Sequence, residues 1–148
     1  MGPNSKPSER QSLLATYDPA SVGASTVLTA YVSVKNHATL MAVLQTGVMG
    51  AAGTIDAKLR QATDAAGTGV KDIAGKSITQ IVKATGDNKQ AVINLKTADL
   101  DVEGGFSFVC LSITVGTAAS LLSAALMGYD PRFADAAALN QAGVLQVV

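Results

Sequence analysis

The stretch Thr54-Ile55-Asp56-Ala57-Lys58-Leu59-Arg60-Gln61 decides how the rest of the chain is read. Apolar Ile55, Ala57 and Leu59 alternate one for one with charged Asp56, Lys58 and Arg60. Successive side chains of an extended strand point to opposite faces, so this segment has one dry face and one wet face. Wound as a helix, it would scatter its charges around the axis. The pattern predicts a half-buried strand in a sheet with one face turned to a core.

Downstream the same rhythm continues. Asp64–Gly69 is a connection, Val70–Ile73 a short strand closed by Gly75, and Ser77–Lys83 an alternating strand. Gly86-Asp87-Asn88 is a turn, and Gln90–Leu95 another strand. Thr97–Asp101 reads as a turn or a single helical turn, and Gly104-Gly105 breaks the chain. Phe106–Val115 is the strongest strand, with Phe106, Phe108 and Cys110 on one parity and Val109, Leu111, Ile113 and Val115 on the other. Ala118–Tyr129 suits a helix by composition. It follows a strand and a tight turn in an otherwise all-strand chain, so a strand is expected there. Gly128–Phe133 is a closing turn, and Ala134–Ala142 one or two helical turns with Asp135 near their start.

Upstream, Ala38–Thr46 is a strand ending at Gly47, and Lys35-Asn36-His37 is a turn. Thr26–Val34 is a strand whose expected core face is Leu28, Ala30, Val32 and Val34. About seven or eight closely spaced strands without a strand-then-helix rhythm predict an all-β fold. The expected architecture is an antiparallel β-sandwich or jelly roll. Residues 1–24 read as an extended N-terminal arm, 25–133 as the sandwich and 134–148 as a C-terminal tail.

Composition narrows the function. Lys plus Arg total 11 and Asp plus Glu total 11 in 148 residues, so the formal net charge is zero. A general polyanion binder needs a concentrated positive field, so no nucleic-acid partner is expected. Charged residues are 15%, against about 25% in ordinary soluble domains. Apolar residues are 48% but aromatics only 4%. A small neutral domain rich in Ala, Val, Leu and Ile is poorly equipped to stay monomeric, which points to assembly. No apolar run reaches the roughly 18 residues of a membrane helix, and no secretory signal is read at the start. A soluble product made in a reducing cytoplasm is expected, with no membrane partner.

Chemistry-bearing constellations are thin. With one Cys and one His, neither a Cys-based zinc site nor a multi-histidine site can be assembled, and no cofactor or metal is expected. A dyad would need His37 beside Cys110 or a serine; Cys110 itself reads as a buried thiol. Asp99, Asp101 and Glu103 could collect on one edge around a cation, but a solvated turn is the plainer reading. Asp130 before Pro131 reads as a turn former. Gly75-Lys76-Ser77 imitates part of a phosphate loop, but Val70 stands where its first glycine belongs. Lys71, Lys76, Lys83 and Lys89 form a loose stripe interrupted by Asp72 and Asp87. No catalytic residue is assigned. The terminal regions remain. Leu13, Leu14 and Tyr17 near the start, and Val144, Leu145, Val147 and Val148 near the end, are the candidate interaction residues. The last four either complete the domain's own sheet or dock on another subunit.

Several segments carry a resemblance. Leu44-Gln45-Thr46-Gly47 within Val43–Gly50, Asp56-Ala57-Lys58-Leu59-Arg60-Gln61, and Asp72-Ile73-Ala74-Gly75 are similar to small β-sandwich structural proteins of tailed bacteriophages and prophages. Thr79-Gln80-Ile81, Asp87–Gln90, the Phe106–Val115 strand and Gly128–Arg132 fit the same pattern. The resemblance covers roughly residues 38–133. Its motifs are structural, so it carries over no functional residue. It implies a virion location at the head or the head–tail junction. The expectation is a non-enzymatic capsid decoration (cement) protein on the capsid surface, made in the host cytoplasm. Its partners would be the major capsid protein and other copies of itself. A neck, connector or tail-associated component is the alternative. A particle-surface carbohydrate-binding module is a weaker one, given three Tyr, three Phe and no Trp.

Overall fold

The computed structural model describes residues 4–132 and 135–148. Met1–Pro3 of the expected arm, and the expected sandwich–tail boundary at Phe133 and Ala134, lie outside the described residues. Among the described residues ten strands pair, all antiparallel.

The first sheet has the order β1-β10-β4-β8. Its strands are β1 (Gln11–Val22), β10 (Ser120–Pro131), β4 (His37–Met49) and β8 (Gln90–Lys96). The second has β9 (Phe108–Gly116) and β5 (Thr54–Ala62) at its centre, flanked by β2 (Ser25–Leu28) and β6 (Lys71–Ser77). Two-residue strands β3 (Val32–Ser33) and β7 (Ile81–Val82) add to β9 and β5. The fold is an all-β antiparallel sandwich, as the alternation at residues 54–61 predicts. The strand count exceeds expectation because β1 and the two short strands contribute.

One core lies between the sheets. Leu40, Ala42 and Leu44 of β4 and Leu122, Ala124 and Leu126 of β10 face Ile55, Ala57 and Leu59 of β5 and Val109, Leu111, Ile113 and Val115 of β9. Burying each large side chain contributes roughly 1.5–3 kcal/mol. The expected strand over Ala118–Tyr129 is observed as β10 from Ser120 to Pro131, with Ala118 and Ala119 in the turn before it. Its even positions fill the core with small and branched residues at period two, which a helix would not do.

Four local expectations are corrected. First, residues 11–22 of the supposed arm are β1, hydrogen-bonded along β10 from Gln11↔Tyr129 to Val22↔Ser120. An edge strand needs few apolar residues, and Ser12, Ala15 and Val22 are its buried positions. Second, Leu28 and Ala30 face solvent, while Thr29 is buried. The chain leaves the ladder after Leu28, and the Thr29 hydroxyl accepts the Leu111 amide at 2.9 Å. This break shifts the parity that an uninterrupted strand would have kept. Third, Ser77–Lys83 is not one strand: β6 ends at Ser77, β7 holds two residues, and a short helical turn occupies Lys83–Gly86. Fourth, only Lys35 and Asn36 form the turn; His37 opens β4 and is buried. The expected helical turn near the end is a 3-10 turn at Ala136–Leu139, capped by the Asp135 carboxylate accepting the Ala137 amide.

β9 is buried on both sides from Val109 to Ile113. Cys110 lies on the side turned away from the core, yet it is covered, with Tyr31 against it. Burial pushes its thiol pKa up.

Candidate assembly surface

The two outward faces of the sandwich differ in charge. The second sheet carries Asp56, Lys58 and Arg60 on its wet side. The Asp72 carboxylate accepts from Lys58 at 2.8 Å and from Arg60 at 2.9 Å. The hydrogen bond from Lys58 is the main cause holding the Asp72 carboxyl below its usual range. Nearby, Lys71 pairs with Asp101 at 2.6 Å, Lys76 with Asp99 at 3.2 Å and Lys83 with Asp87. Three of the four lysines of the expected stripe are therefore locally neutralised. Asp99 and Asp101 serve lysines and backbone amides rather than converging with Glu103. Among the described residues no three His, Cys, Asp or Glu side chains gather as a metal site. Gly75 of the Gly-Lys-Ser triplet lies within β6.

The first sheet presents the opposite character. Because even positions of β4 and β10 fill the core, Thr39, Met41, Val43 and Gln45 point outward beside Leu121, Ser123, Ala125, Met127 and Tyr129. None of these is charged. The register aligns them in rows: Thr16, Ala125, Val43 and Val92 in one, Leu13, Met127, Met41 and Asn94 in the next. Gln11 Nε2 lies 2.7 Å from Met127 Sδ on the same side. Val92 is 52% exposed and Leu121 46% exposed. Gly47 makes room for Leu121: a Cβ there would sit 2.9 Å from that of Leu121. In these rows Met41 and Val43 meet Met127 and Ala125 across the two central strands, and apolar groups gathered on an outward face make it a candidate interaction surface.

This surface is not flat. β1 shifts register between Tyr17 and Ala20, around Asp18-Pro19. Two hollows open beside that bulge. One is lined by Tyr17, Val43 and Ala125, the other by Ser21, Gly47 and Leu121. They share Pro19, Gln45 and Ser123, so they form one trough alongside β1. Asp18 is its one charged lining residue, and its carboxylate accepts the Thr16 hydroxyl at 3.1 Å.

The expected interaction residues separate into two groups. Leu14 and Tyr17 belong to β1 and pack against the chain's own core. Leu13, half-buried, gives its amide to Asn140 Oδ1 at 2.7 Å and its carbonyl to the Gln141 amide at 2.7 Å. Val144 is half-buried, while Leu145 is 97% and Val148 105% exposed and Val147 is also exposed. Residues 144–148 form no strand in the chain's own sheets.

A second constellation was not legible in the sequence. His37 Nε2 lies 3.0 Å from Ser12 Oγ, and Ser12 Oγ donates to the Ala136 carbonyl at 2.6 Å. With the single hydroxyl proton committed to that carbonyl, the bond to His37 requires the proton on Nε2. His37 Nδ1 is then a buried lone pair with no partner among the described residues. Burial lowers the His37 pKa. The structure thus brings the histidine to a serine, as a dyad would require. However, both side chains are almost wholly enclosed, at 1% and 0% exposure. The serine proton points at a carbonyl, and no acid orients Nδ1, so the pair is not built as an activated nucleophile. It instead ties β1, β4 and the 3-10 turn together. Asp130, expected to bond its own backbone, has φ 53° and accepts the Thr39 hydroxyl at 3.1 Å.

No protein-family model matches the sequence. No curated protein matches it either. Solved structures with a similar arrangement include a chain of Broad bean stain virus, at 11% identity and a TM-score of 0.47, covering 88% of this chain and 90% of that one. A chain of the Triatoma virus empty capsid matches at 9% identity and TM-score 0.46, over 85% of this chain and 93% of that one. The CBM22-2 xylan-binding domain of Paenibacillus barcinonensis Xyn10C matches at 12% identity and TM-score 0.39, over 82% and 92%. Likenesses at this level span capsids and a carbohydrate-binding domain alike.

Proposed function

We propose that this chain is a non-enzymatic structural subunit of a virion, a capsid decoration protein seated on the major capsid protein lattice of a tailed-phage head. The observation that carries the reading is the outward side of the two central strands β10 and β4, where no residue from Thr39 to Gln45 or from Leu121 to Tyr129 carries a charge and the charged Asp18, Lys96 and Asp130 stand only at the margins. Exposed Val92 and Leu121 stabilise nothing in water and gain by being covered. The resemblance of residues 38–133 to small phage structural proteins supplies the virion context. The exposed apolar residues Leu145, Val147 and Val148 add a second contact element. Many weak contacts repeated over a lattice raise overall avidity without strong single bonds. A glycan-binding role is less well supported. Stacking on sugars needs exposed rings, and every described Tyr and Phe is at least partly covered.

Copy number per purified particle, by quantitative mass spectrometry against the major capsid protein, tests this reading. On the order of hundreds of copies, near the capsid protein count, is expected for a lattice-bound subunit. On the order of ten copies would move the chain to a neck or tail ring. Absence from the particle would overturn the virion reading.

A further inference from the structure

We infer that the trough beside β1 is filled by residues Val144–Val148 of a second copy of this chain. The inference rests on the assembly reading above and names the partner for one part of that surface.

The chain's own C-terminal segment starts next to this trough. Asn140 and Gln141 occupy both backbone groups of Leu13, and Gln141 Nε2 donates to Thr16 Oγ1 at 3.1 Å. Thr16 is itself a trough residue. A turn closed by the Val144 amide on the Gln141 carbonyl then directs the chain outward. From Leu145 onward the segment makes no hydrogen bond among the described residues, and Leu145 and Val148 are fully exposed. It does not lie in its own trough, so the trough and the segment are each left without an occupant.

The two match in chemistry. No side chain from Ala142 to Val148 carries a charge. The trough contains only Asp18, which already has a hydroxyl partner. An uncharged apolar segment enters without removing an ion from water, whereas a charged one would incur that cost. They also match in length. Five extended residues span about 17 Å, the same as the five β10 residues, Ala125 to Leu121, that lie opposite Thr16 to Ser21 across the bulge. The donor segment and the acceptor trough are different surfaces, so the contact is head-to-tail and builds rings or chains rather than requiring a two-fold pair.

The test uses the full chain and two variants, each checked for an unchanged melting transition. One lacks residues 144–148; the other carries Ser123→Lys, which places a long cation in the trough. Sedimentation measures their association. The full chain should self-associate, and each variant alone should do so about tenfold or more weakly. Mixed, they should form a 1:1 dimer and nothing larger, since one keeps the segment and the other the trough. A mixture that stays monomeric overturns the inference. So does a segment-deleted variant that assembles as well as the full chain, and in that case the assembly reading itself stands. A full chain that remains monomeric and is absent from particles would remove both.

Discussion

Gly128→Ala is a sharp test of how the end of the sandwich is closed. A Cβ added at Gly128 would lie 2.6 Å from His37 Cδ2 and Cγ and 2.8 Å from Nε2. The obstacle is a rigid ring, 1% exposed, held by Ser12 and unable to swing aside like the end of a flexible chain. Overpacking of this kind costs about 1–3 kcal/mol, and displacing the ring from Ser12 costs about 1 more, for a total of about 2–4 kcal/mol. At about 2–4 °C per kcal/mol for a chain of this size, Tm should fall by roughly 5–15 °C. Urea unfolding followed by far-UV circular dichroism gives the free energy directly. The decisive comparison repeats the substitution in a His37→Ala background. There the ring is gone, and Ala in place of a strand glycine should be neutral or stabilising by about 0.5–1 kcal/mol. A change of sign between the two backgrounds is the expected coupling. If Gly128→Ala costs the same in both, the ring does not rest on this glycine and the account of the cluster is wrong.

Further outcomes follow from the same structure. The His37 pKa is lowered in the folded chain, so its contribution to stability is complete above about pH 6.5 and is lost as pH falls below that value, because the unfolded chain takes up a proton that the folded one resists. The urea midpoint between pH 5 and 7 should therefore decline toward acid in the parent and lose that slope in His37→Gln; the lowered carboxyls of Asp72, Asp99 and Asp101 act only below about pH 4, outside that window. Leu59→Ala, at a fully enclosed position of β5, should cost about 2–5 kcal/mol by denaturant titration. Asp72→Asn should cost under about 1 kcal/mol despite losing two ion pairs, because all three side chains are solvated, and a larger loss would show that the pairs are less screened than their exposure implies.

How much of this was legible in the sequence depends on how much one face differs from the other. Thr54–Gln61 announced itself because its outward side chains are charged and its inward ones are not. The β1 strand was missed for the converse reason. An edge strand buries little beyond Ser12, Ala15 and Val22, so residues 1–24 read as an arm, and Pro19 inside the strand is tolerated because it sits at an edge bulge. The outward surface of β4 and β10 was hidden differently. Met41, Val43, Ala125 and Met127 alternate with core residues of the same character, so both strands read as apolar throughout, as if buried on both sides. Only the sheet order shows that one of those sides is open. The Ser12–His37 contact joins residues 25 positions apart across two strands, and no local spacing signals it. The exposed Val144–Val148 segment was legible as apolar, but its separation from the chain's own sheets was not.

The single thiol has a practical consequence. Cys110 sits in β9 with β5 on one side and the β2 and β3 segments on the other, enclosed above and below. A maleimide or iodoacetamide can reach it only once Tyr31 and the segment that carries it move off β9, so the labelling rate measures how often that cover opens, up to the limit of global unfolding. For a domain with a stability of about 8 kcal/mol, full opening would slow labelling by roughly a million-fold relative to a free cysteine. The chain thus carries its own clock. Timed with subunits free in solution and again with subunits mounted on a particle, the same atom would report how far a neighbour's grip restrains the opening.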